Sequence, residues 1–189
     1  MRLLFLHGAG GEEAGRALAA ELAAAVGADP LVPSLPAEDF AREAWTAPIT
    51  HALEGLDAED LVIGHSFGAS MLLHALAERP DVPWTVHLLG MPDWGPEGWD
   101  VPDYVLTPAA VEGLSGIALH LHHTADDEVV PLAHLDLHAA CFPSASVHRH
   151  PVGGHLFNGC AATVLGREVS WSRPSSADSR TDPSRSRCP

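Results

Sequence analysis

One short stretch constrains this chain more than any other. The apolar run Leu61-Val62-Ile63 passes without a spacer into Gly64-His65-Ser66-Phe67-Gly68, and a segment carrying Met71, Leu72, Leu73 and Leu76 follows. The pattern predicts a buried strand, a tight turn and a helix over about 67–78. A residue at the tip of such a turn is forced into a strained backbone conformation. The residues two before and two after it approach so closely that a β-carbon would clash, and both positions here are glycine. The turn lifts the Ser66 hydroxyl out of the sheet and places the N-terminus of the following helix, with the amide of Phe67, where a developing oxyanion would sit.

The rest of the chain repeats the same alternation. Residues 2–6 predict a short buried strand, and 12–26 a helix with Ala14, Leu18, Leu22 and Val26 as its buried stripe, ending at Gly27. Residues 29–33 predict a second strand. A helix is expected over 38–56 with Phe40, Ala44 and Trp45 facing inward, and Pro48 is a point where it could split. Further strands are expected at 84–89, 117–122 and 147–150, with a helix over 132–140. Strands alternating with helices imply parallel βαβ units and a doubly wound, mainly parallel α/β sheet with helices on both faces. One domain is expected over 1–170. Within it, residues 91–113 hold four prolines with Trp94, Trp99 and Tyr104 between them, and read as an irregular loop or small cap. Residues 171–189 are rich in Ser, Pro and Arg, and a disordered tail is expected there.

Composition excludes several classes of function. The 189 residues carry 25 acidic and 10 basic side chains, for a formal net charge of −15. A nucleic-acid partner is not expected, since phosphate binding needs a basic footprint. No run of about 18 apolar residues predicts a membrane span. The apolar start Leu3-Leu4-Phe5-Leu6 is too short for a secretion signal, and the three cysteines form no Cys-x-x-Cys pair. A cytoplasmic protein is the expectation.

A serine hydroxyl becomes nucleophilic when a histidine takes its proton and a carboxylate stands behind that histidine. In folds with this turn the order along the chain is Ser, acid, His, each after a strand. After the fifth strand lie Asp126 and Asp127, both candidates for the acid, with Glu128 a distant third. After the sixth strand comes Gly153-Gly154-His155, which makes His155 the candidate base. His148 and His150 lie within the strand and point into a layer rather than over its end. The first strand ends in His7-Gly8-Ala9-Gly10-Gly11, where a second oxyanion donor is expected, and Ala9 is the candidate beside Phe67. The glycine spacing fits neither a dinucleotide fingerprint nor a phosphate loop.

Taken in order, Leu6-His7-Gly8-Ala9-Gly10-Gly11, Gly64-His65-Ser66-Phe67-Gly68, Asp127 with Val130-Pro131, and Gly154-His155 resemble the α/β-hydrolase superfamily. They are most similar to its small, nearly capless serine hydrolases, the group similar to retinoblastoma-binding protein nine. The resemblance runs from about residue 2 to 169. It implies a minimal α/β-hydrolase fold with six strands in the order 2-1-3-4-5-6. The Asp-x-x-Val-Pro ending of the acid loop selects Asp127. The activity implied is hydrolysis of a carboxylic ester, thioester or lactone through Ser66, His155 and Asp127, most simply as a carboxylesterase. No cofactor and no metal are implied, and the partner is a small-molecule ester. Trp94, Trp99, Tyr104 and Phe157 are the expected substrate-binding residues.

Two other readings start from the same residues. His120-Leu121-His122-His123 with Asp126 and Asp127 looks superficially like a binuclear metal-hydrolase run. The order does not match, and on a strand His120 and His122 share one face while His123 points to the other. The alternative to an enzyme is a catalytically silent α/β-hydrolase-fold binding protein.

Overall fold

The structure, a computed structural model, describes residues 1–79 and 82–166; the stretch expected to be a tail lies outside the described residues. The described chain runs β1 (Arg2–Leu6), α1 (Glu12–Val26), β2 (Asp29–Leu31), α2 (Arg42–Glu54), β3 (Leu61–His65), α3 (Phe67–Ala77), β4 (Thr85–Leu89), α4 (Pro108–Gly113), β5 (Ala118–Thr124), α5 (Ala133–Cys141), β6 (Ser146–His150) and α6 (Ala161–Val164). The six strands form one sheet in the order β2-β1-β3-β4-β5-β6, and every pairing is parallel. No helix among the described residues is long and apolar enough to cross a membrane.

Strand alternation divides the interior into two cores. Leu4, Leu6, Val62, Val86, Leu88, Leu119 and Leu121 point to one face and pack with Trp45 and Ile49 of α2, Leu72 and Leu76 of α3, and Leu135 of α5. Leu3, Phe5 and Ile63 point to the other face, under Leu18 and Leu22 of α1 and Val164 of α6. Burying each of these side chains contributes about 1.5–3 kcal/mol.

Two expectations are corrected in the second helix. It starts at Arg42 rather than 38, and it runs through Pro48 without splitting. Before it the chain is still extended, with Ala41 at ψ 133°, and the Asp39 carboxylate accepts the Ala41 amide instead of letting it enter a helix. Phe40 is therefore not a core residue but 43% exposed. Residues 91–113 contain a single 3₁₀ turn at Pro102–Tyr104 and the short α4, with Trp94, Tyr104 and Leu106 laid onto the core over α3. The segment is an irregular loop ending in a short helix, not a separate cap.

Candidate active site

Ser66 stands between β3 and α3 with φ 53° and ψ −125°, a region that a side chain other than glycine rarely enters. The strain is held by contacts that leave no alternative. A β-carbon on Gly64 would lie 2.6 Å from Ala69 Cα, and one on Gly68 would lie 2.4 Å from the carbonyl oxygen of His7. The Ser66 amide donates to Leu89 O at 2.8 Å, which ties the turn to the end of β4. Gly8, in the loop after β1, packs against the serine itself: a β-carbon there would come within 2.9 Å of Ser66 Cβ. Ala9 follows Gly8 and Phe67 follows Ser66 in the chain, and neither amide donates to another group among the described residues.

Asp127 follows β5 and His155 follows β6, and the fold brings them together. His155 Nδ1 lies 2.9 Å from Asp127 Oδ2 and 3.1 Å from Oδ1. The carboxylate also accepts the amides of Val129 at 2.9 Å and Val130 at 2.8 Å. Burial pushes its pKa up, but the His155 ring and the two amides outweigh this and hold it below the usual carboxylate range. An ionised Asp127 only accepts, so His155 carries its proton on Nδ1 and presents the lone pair of Nε2. Gly90, at the end of β4, marks where these parts meet: a β-carbon there would touch Asp127 Oδ2 and His155 Nδ1, both at 3.3 Å. Ser66 Oγ makes no hydrogen bond to His155 among the described residues. In substrate-free sites such bonds are often long and tighten only around a substrate.

Asp126 has a different task from Asp127. Its two oxygens accept the amides of Gly154 at 2.8 Å and Gly153 at 3.2 Å. Glu128 Oε2 accepts the amide of His155 itself at 3.1 Å. The Thr124 hydroxyl donates to Gly154 O at 2.9 Å. The acid loop thus clasps the backbone of the histidine loop while Asp127 alone reaches the ring.

Two contributors escaped the sequence reading. His65, the second residue of the five-residue turn, donates from Nε2 to His155 O at 2.8 Å. Burial and the neighbouring His155 ring lower its pKa to about 4, so it is neutral and acts as a fixed brace. Its position inside the turn was the only signal in the sequence. Phe40 is the second. Its ring meets Phe67 edge-on at 6.0 Å, and its carbonyl accepts the Tyr104 hydroxyl at 2.9 Å.

The expected substrate residues separate into three groups. Trp94 and Tyr104 surround Phe67, at ring separations of 5.8 and 5.0 Å, and line an apolar cavity of about 280 Å³ with Met91, Leu106 and Phe142. Ser66, Asp127 and His155 do not line that cavity. Trp99 stands outside it, 39% exposed, edge-on to Trp94 and His134. Phe157 is a correction. It is wholly buried in the core beneath α1, between His65 and His150, and cannot touch a substrate. The Gly154 carbonyl accepts its amide, which turns the chain inward at this point.

No protein-family model matches the chain, and a comparison with the curated proteins finds no match. Solved structures do resemble it. Est1E from Butyrivibrio proteoclasticus aligns at 17% identity with a TM-score of 0.67, over 86% of this chain and 82% of its own. The methylesterase MES16 from Arabidopsis aligns at 16% identity with a TM-score of 0.64, over 87% and 97%. Alpha/beta hydrolase domain-containing protein 10 from mouse aligns at 16% identity with a TM-score of 0.59, over 86% and 85%. At such identities the likeness concerns architecture, and together with the strand order it shows that this chain has the α/β-hydrolase fold.

Proposed function

We propose that this protein is a serine hydrolase that cleaves a carboxylic ester, thioester or lactone through an acyl-enzyme on Ser66. The observation that carries the reading is the conjunction after three strands of the one sheet. A serine is held at φ 53° after β3, and an Asp127–His155 pair at 2.9 Å stands after β5 and β6. His155 Nε2 takes the Ser66 proton as Oγ bonds to the ester carbonyl carbon. The carbonyl oxygen becomes an oxyanion held by the amides of Ala9 and Phe67. His155 then gives its proton to the leaving oxygen or sulfur as that bond breaks, and water repeats the sequence in reverse to free the acid. Asp127 keeps the imidazole in the useful tautomer and stabilises its charged form. The aromatic group of Phe40, Phe67, Trp94 and Tyr104 forms the wall on the acyl side.

A fluorophosphonate probe tests the nucleophile: wild type is labelled and Ser66→Ala is not, whereas equal labelling overturns the assignment. A series of p-nitrophenyl esters of rising chain length then tests the activity. Turnover that vanishes in both Ser66→Ala and His155→Ala supports an esterase. Absence of turnover and labelling in the wild type favours a binding protein that keeps the fold.

A further inference from the structure

Five histidines share one face of three adjacent strands: His87 of β4, His120 and His122 of β5, and His148 and His150 of β6. The esterase reading uses none of them. Their rings stack across the sheet, with centroids 4.7 Å apart for His87 and His120, 5.2 Å for His120 and His148, and 4.3 Å for His122 and His148.

The protons in this array can be placed by following the hydrogen bonds. The Thr163 hydroxyl donates to Cys160 O at 2.9 Å, so its oxygen accepts from His150 Nδ1 at 3.3 Å. His150 Nε2 is then a lone pair and accepts His122 Nδ1–H at 3.1 Å. That leaves a lone pair on His122 Nε2, 3.1 Å from His87 Nδ1. One nitrogen from each of His87, His120 and His122 lies within 4.8 Å of the other two.

We propose that His87, His120 and His122 form a three-histidine site for a divalent transition-metal cation of the zinc class, on the sheet face and separate from Ser66. Neutral imidazoles without a carboxylate suit Zn²⁺, Ni²⁺ or Cu²⁺ rather than Ca²⁺ or Mg²⁺. Metal–nitrogen bonds of about 2.0–2.1 Å put neighbouring tetrahedral ligands about 3.3 Å apart, so His87 Nδ1 and His122 Nε2 already have the right spacing. On binding, the His87 proton moves from Nδ1 to Nε2 and no proton is lost. The outer shell exists before the ion arrives. His150 and Thr163 orient His122, and His148 holds His120 Nδ1 at 3.0 Å, as partners of metal-bound histidines commonly do. The half-buried His120 and His148, beside the open groove along His150 and Thr163, give the ion a way in.

Titration of the chelator-treated full chain with Zn²⁺, followed by calorimetry and by the melting temperature, tests this. The expected result is one equivalent bound, with a rise in melting temperature. His120→Gln and His87→Gln should abolish both effects while leaving the far-ultraviolet circular dichroism unchanged. His150→Gln should weaken binding by about 10–100-fold through the outer shell, and the exposed His51→Gln should leave it unaltered. A tetrahedral Co²⁺ spectrum that His120→Gln removes gives an independent reading. No saturable uptake by the wild type, or uptake unchanged in His120→Gln and His87→Gln, overturns the proposal and leaves the array a hydrogen-bonded ladder. Ester turnover is a separate readout, so failure here does not bear on Ser66.

Discussion

The two faces of the sheet start alike and end differently. Toward α2, α3 and α5 the face is apolar across the central strands, from Leu4 and Leu6 through Val62 and Val86 to Leu119 and Leu121. Toward α1 and α6 it is apolar at Leu3, Phe5, Ile63 and Leu89, and from β4 onward it also carries His87, His120, His122, His148 and His150. Apolar packing specifies volume and tolerates many solutions. A buried imidazole specifies partners as well, because an unmade hydrogen bond costs about 1–3 kcal/mol. His155 differs from the rings on this face in one respect: a buried carboxylate lies 2.9 Å from its Nδ1. In the proposed reaction that neighbour would stabilise a transient positive charge on His155, which sets this histidine apart from those on the face.

The largest expected effect separates those two kinds of histidine. His155→Ala and Ser66→Ala should each lower kcat for a p-nitrophenyl ester by about 10⁶-fold. His120→Gln should leave kcat/KM within experimental error, and a comparable loss there would end the distinction. Next, Asp127→Asn should cost about 10⁴-fold in kcat by giving His155 the wrong tautomer. Asp126→Asn should cost far less, since it loosens only the backbone at Gly153 and Gly154. The opposite ranking would move the acid by one residue.

Stability measurements probe the faces themselves. Leu121→Ala on the apolar face should cost about 2–5 kcal/mol in urea unfolding. Gly8→Ala should preserve the fold but push on Ser66 Cβ, with a loss of about 10²-fold in turnover. The most gradual effect is on pH. His65 and His87 titrate near 4 and 3 in the folded chain, against an ordinary value of 6.5. The unfolded chain therefore binds more protons between those limits. Stability should be level above about pH 6.5 and fall below it, by up to about 1.4 kcal/mol per pH unit for each such histidine. A urea midpoint that stays constant down to pH 5 would contradict the neutral array.

Much of this was legible in the sequence because the relevant signals are local. The Gly64 to Gly68 turn, the alternation of strands and helices, and the positions of Asp127 and His155 after strands all follow from neighbours in the chain. The start of α2 was misplaced because Asp39 takes the Ala41 amide, a competition between side chain and helix that periodicity does not reveal. Phe157 was misread because its place after His155 suggested proximity to the site, while its backbone turns the ring into the core. His65 as a brace and Asp126 as a clasp each depend on a partner at least 27 residues away.

The sequence by itself determined the alternation that builds a parallel sheet, and it placed Ser66 at a turn only glycines permit. Local sterics and hydrophobic period suffice for both. Tertiary structure decided which aspartate faces the histidine, which aromatics surround Phe67 and that five histidines from three strands share one face. Strand register sets those relations, and register arises from packing between segments that lie far apart along the chain.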